Sequence, residues 1–109
     1  MSILDTYHCL RDAVHILATS SGDVKFGLFL AMTNKLIMAN IPPDPELPED
    51  FSKRIESVRS KLTVKECNVT GSILATLNGM HSKTASQIAE DIWFLYTDIE
   101  NFVRIKNEL

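Results

Sequence analysis

Cysteine is scarce in this chain, at two of 109 residues. Cys9 and Cys67 are too few for a disulfide framework, and neither sits in a Cys-x-x-Cys pair. Both read as free thiols of a reducing compartment. Long apolar runs are also missing. No stretch approaches the ~20 apolar residues that a membrane-spanning helix needs. The first residues, Met1-Ser2-Ile3-Leu4-Asp5, carry acid early and lack the basic start and apolar run of a signal peptide. The expectation is a cytoplasmic protein, in which the sequon Asn68-Val69-Thr70 is a chance match. Only four glycines occur, Gly22, Gly27, Gly71 and Gly79, and no Gly-Lys-Ser/Thr follows a strand to make a phosphate-binding loop. No Gly-x-Ser-x-Gly elbow offers a serine nucleophile.

Excess charge is small as well. The formal net charge is −3, and the chain is 23% charged and 45% hydrophobic. A mildly acidic field repels phosphate and argues against nucleic acid as the partner. The length fits one domain, 1–109, large enough for a core without staples.

What is present is helical periodicity. Ile3, Tyr7, Leu10, Val14 and Leu17 step by four and three, which predicts a helix over 3–19 ended by Ser20-Ser21-Gly22. Pro42, Pro43 and Pro45 make 40–48 a loop. Pro48 then stands as a first helical residue. Glu49 and Asp50 follow in the first turn, and Arg59 and Lys61 lie in the last, so the charges complement the dipole of a helix over 48–62. Its stripe is Phe51, Ile55, Val58 and Leu62. A short helix is expected over 71–78, burying Ile73, Leu74 and Leu77, with Gly79 as a left-handed stop. Ser82 is the expected cap of a final helix over 83–106, whose stripe is Ala85, Ile88, Ile92, Leu95, Ile99 and Phe102.

The segment 23–40 has two readings. Phe26-Gly27-Leu28-Phe29-Leu30-Ala31-Met32 and Leu36-Ile37-Met38-Ala39 form a helix apolar nearly all round, or the two arms of a hairpin turning at Thr33-Asn34-Lys35. Strand alternation is absent, and Leu, Met, Ala and Lys favour helix. The expected fold is therefore all-α, a bundle of four main helices plus one short helix. With a hairpin at 24–41 it would be α+β.

Candidate chemistry is sparse. Asp5, His8, Asp12 and His15 share one face of the first helix, so His8, Asp12 and His15 have the spacing of metal ligands one turn apart. That face lies opposite the apolar stripe, whereas a bundle metal site points inward; the plainer reading is a solvated face with weak ion pairs. Bridged di-metal bundles use Glu-x-x-His, which does not occur. Glu46-Leu47-Pro48-Glu49 has the Glu-x-x-Glu form of helical nucleotide pyrophosphatases, but proline splits it across a loop and a first turn. Lys65 beside Cys67 would lower a thiol pKa somewhat, without a base to complete a nucleophile. Lys53, Arg54, Arg59, Lys61 and Lys65 make the third helix locally basic, yet the short helix after it has no charge and is no DNA reader.

The positive clue is aromatic. One helix face cannot hold all of Trp93-Phe94-Leu95-Tyr96. Leu95 belongs to the core stripe, so Trp93 and Phe94 meet another layer, the folded-back proline loop, or another molecule. Together with Phe26 and Phe29 of the apolar second helix, they are the expected interface residues.

Leu47-Pro48-Glu49-Asp50-Phe51, Leu62-Thr63, Gly71-Ser72-Ile73 with Ala75-Thr76-Leu77 and Met80, and Ile88-Ala89-Glu90 with Leu95-Tyr96 resemble small helical bacterial proteins of unassigned function. The resemblance covers about the last two-thirds of the chain. It rests on capping and core positions, implies an all-helical bacterial protein, and carries over no active site. The functional expectation is a non-enzymatic interaction module that self-associates, without a cofactor. The alternatives are an accessory or regulatory subunit of a larger bacterial system, and a metal-binding protein using His8, Asp12 and His15.

Overall fold

Five helices, and no strand among the described residues, make up the computed structural model. It describes residues 3–19, 23–36, 47–63 and 69–105, with the backbone alone at 69–72 and 74. The helices are α1 (Ile3–Thr19), α2 (Val24–Asn34), α3 (Glu49–Leu62), α4 (Val69–Asn78) and α5 (Ser82–Ile105). The expected all-α bundle is what forms.

The segment 24–41 decides the fold class, and its described part is helix. Asp23 is an extended N-cap whose carboxylate accepts from the Lys25 amide at 2.9 Å. The Gly27 amide donates to the Asp23 carbonyl at 3.1 Å, closing the first turn. The hairpin alternative falls because Thr33 and Asn34, its expected turn, are the last residues of α2. There the Thr33 hydroxyl donates to the Phe29 carbonyl at 2.8 Å, and the Lys35 amide to the Ala31 carbonyl at 3.0 Å. An all-apolar helix is stable here because α2 packs on α1, α4 and α5 at once. Gly27, Leu28, Ala31 and Met32 are its buried residues. The helix is 11 residues long, shorter than the expected 23–40, and 37–40 lie outside the described residues.

Three boundaries differ from expectation. Pro48 is the N-cap of α3 rather than its first helical residue; its ψ of 132° is extended, and its carbonyl accepts from the Phe51 amide at 3.2 Å. The fourth helix begins at Val69, two residues before the expected start. Ser82 lies inside the first turn of α5, and the His81 carbonyl accepts the first bond, from the Ala85 amide at 3.0 Å. At the end of α4, Gly79 does not adopt the left-handed conformation. Its amide donates to Ala75 at 3.3 Å and the Met80 amide to Leu77 at 3.2 Å, so the helix tightens out of its last turn instead of reversing. Met80 still packs against the core, as expected for a residue just past a helix end.

The α3 and α5 stripes are buried as the spacing requires, with Phe102 only partly covered and Val103 joining the row. On α1, Ile3, Tyr7 and Leu10 are buried, Val14 and Leu17 only partly, while Thr6 and Ala13 join the core. One cluster of buried side chains draws on all five helices. The long α5 touches α1, α2 and α3, and α4 closes the bundle against α2 and α3. The extents are 40 × 28 × 20 Å. No described helix is long and apolar enough to cross a membrane.

Candidate interaction surfaces

The α1 face proposed for metal does not converge. Asp12 is held by Lys35 at 3.4 Å and by Arg11 at 3.5 Å, so a cation already occupies its carboxylate. His8 is half-buried with its ring 5.6 Å from that of Tyr7, and His15 is exposed. Among the described residues no group of three or more His, Cys, Asp or Glu could hold a metal ion. Cys9 is a partly buried free thiol. Cys67, Lys65 and Glu46 lie outside the described residues.

A polar cluster that sequence reading missed joins α1 to α5. One carboxylate oxygen of Glu100, Oε2, accepts from Tyr7 at 3.2 Å and from Tyr96 at 3.0 Å. The other, Oε1, faces Arg104 at 3.5 Å. The two phenol rings stack, with centroids 5.7 Å apart and planes 13° from parallel. Burial first, then hydrogen bonds to Tyr7 and Glu100, pushes the Tyr96 hydroxyl well above the ordinary tyrosine pKa. Tyr96 and Glu100 are four apart on one face of α5, but their partner is 93 residues from Glu100. Only the packing of α1 on α5 brings them together. The arrangement clamps the two helices together: both hydroxyls donate to a carboxylate that is itself paired.

Three of the four predicted aromatics are exposed. Phe26 is 55% exposed, Trp93 48% and Phe94 55%. Phe29 is partly buried against the core. They do not form one patch. Phe26 and Phe29, with Leu77, line an apolar groove of about 270 Å³ between α2 and α4, rimmed by Asp23 and Lys25. Trp93 lies beside Tyr96 on α5, the ring centroids 5.8 Å apart. Phe94, about 100° further round the helix, lines a groove of about 310 Å³ between α3 and α5 with Arg54, Ser57, Val58, Lys61 and Asp91. The loop expected to cover Phe94 lies mostly outside the described residues. Ile105, at 79%, is a further exposed apolar residue on α5.

Ion pairs edge the α3–α5 groove. Arg54 meets Asp98 at 2.7 Å and Asp50 at 3.5 Å; Lys61 meets Asp91 at 3.4 Å. Much of the basic character of the third helix is therefore answered within the chain. Arg59 turns away to the chain just past α2, donating from Nε to the Leu36 carbonyl at 3.1 Å, and pairs with Glu56 at 2.9 Å.

No family model, curated protein or solved structure matches this chain.

Proposed function

We propose that this protein is a non-enzymatic interaction module of a bacterial cytoplasm, and that it associates with itself. The observation that supports this reading is the exposure of large aromatic side chains on the helices. A bundle of this size has helices enough to bury Phe26, Trp93 and Phe94, yet leaves each about half in water. Exposed aromatics with polar rims mark association surfaces, because their burial against a partner removes much apolar area at little cost in side-chain entropy. The titratable groups that do converge, Tyr7, Tyr96 and Glu100, hold two helices together rather than facing a cavity.

Analytical ultracentrifugation of the full chain, from micromolar to hundreds of micromolar, tests the reading. A concentration-dependent rise in mass is expected. A monomer throughout would overturn self-association.

A second reading has its own observation. The Phe26–Phe29–Leu77 groove is lined mainly by apolar side chains and suits the apolar side chain of a different protein. On this reading the chain is an accessory subunit. Co-purification from the native host then recovers a partner that Phe26→Ser loses and Phe94→Ser keeps.

A further inference from the structure

The α3–α5 face carries a charge pattern that is complementary to itself. Its α3 edge presents Arg54 and Lys61, and its α5 edge presents Asp91 and Asp98. The members of each pair are seven residues apart, about 10.5 Å along a helix. The helices run antiparallel here, so Arg54 is level with Asp98, and Lys61 with Asp91. Between the two pairs stand an exposed aromatic on the acidic edge, Phe94, and a small exposed residue on the basic edge, Ser57. The basic edge thus offers a gap where the acidic edge offers a knob.

We propose that a second copy of this chain docks on this face, about a two-fold axis running along the groove. Such an axis lays α3 of one copy over α5 of the other at the same level. Arg54 meets Asp98 of the second copy, Lys61 meets its Asp91, and Phe94 enters the gap at its Ser57. Every contact is made twice, as a two-fold interface requires. The intrachain pairs remain, because half or nearly half of the Asp98, Lys61 and Asp91 side chains is still open, at 52%, 51% and 42%. Each pair becomes part of a four-charge network, which holds geometry better than an isolated exposed pair. The occupant is a second copy rather than an unrelated acidic or basic partner, since the face carries both signs in adjacent strips, Arg54 and Lys61 across from Asp98 and Asp91, with Asp50 adding a carboxylate beside Arg54. This inference rests on the self-association reading and assigns it a surface.

The experiment is charge exchange in trans. Arg54→Asp sets a new carboxylate against Asp98 in its own dimer, and Asp98→Arg sets two guanidinium groups together. Each variant alone is expected to dimerise on the order of tenfold more weakly, with circular dichroism confirming its helices. An equimolar mixture is expected to recover a dimer, and specifically the heterodimer, because each copy then meets its opposite. Phe94→Ser is expected to weaken the wild-type dimer by a similar factor. A mixture no better than its components, or a Phe94→Ser protein that dimerises like wild type, would overturn this face. If Phe26→Ser loosens the dimer and Phe94→Ser does not, self-association stands and the α2–α4 groove is the interface. A wild-type monomer at hundreds of micromolar removes both.

Discussion

Glu100 shows how one residue ties two distant parts of the chain. Its Oε2 takes hydroxyls from both α1 and α5, whose phenol rings stack on each other. The raised Tyr96 pKa has a measurable sign. The unfolded chain can ionise this phenol near pH 10, while the folded chain keeps it neutral. The stabilisation is therefore complete below about pH 10 and is lost as pH rises above it. Denaturant titrations of wild type and Tyr96→Phe between neutral pH and pH 11 are expected to show a shallower alkaline loss in the variant. Gly79 carries the opposite kind of prediction. Its conformation is one any residue adopts, and an added Cβ would lie 3.8 Å from the Ala75 carbonyl oxygen, an ordinary contact. Gly79→Ala is expected to raise stability by roughly 0.4–1 kcal/mol through the unfolded state. A left-handed stop would have made the same substitution destabilising, so thermal melts distinguish the two.

Among the elements, α2 depends most on its surroundings. With apolar residues nearly all round, it has no preferred side of its own. Its start is set by Asp23, and its position by α1, α4 and α5. Asp23→Ala removes the side-chain acceptor for the Lys25 amide and is expected to cost about 1 kcal/mol in chemical denaturation. The ends of α3 differ in kind. Pro48 contributes no side-chain cap, while the Thr63 hydroxyl donates to the Arg59 carbonyl at 2.7 Å. Such ends explain why boundaries slip by a residue or two: the capping bond, not the residue type alone, decides where the helix stops.

The whole molecule is a bundle around α5, and its core and surfaces answer mutation differently. Leu10 is fully buried between helices, so Leu10→Ala is expected to cost roughly 2–5 kcal/mol. Phe26 and Phe94 are half exposed, so serine at either position should change monomer stability by no more than about 0.5 kcal/mol. Melts of the isolated variants at concentrations well below association check this, and they separate a folding defect from a lost interface.

Sequence by itself marked α1, α3, α4 and α5 of this protein as helices. Periods of three and four fixed the α3 and α5 stripes and most of α1, because side chains one turn apart must share a face. It also marked Trp93 and Phe94 as residues that no single helix face could bury together with Leu95. Tertiary structure decided what periodicity cannot encode. The apolar segment at 24–34 is helix because three neighbours cover it, a fact of packing rather than of spacing. The tyrosine pair on Glu100 and the ion pairs joining α3 to α5 link residues 30 to 93 positions apart. The exposed aromatics likewise became three separate surfaces only once the helices were placed. Spacing along one helix says which side chains travel together; only the crossing of helices says which of them meet.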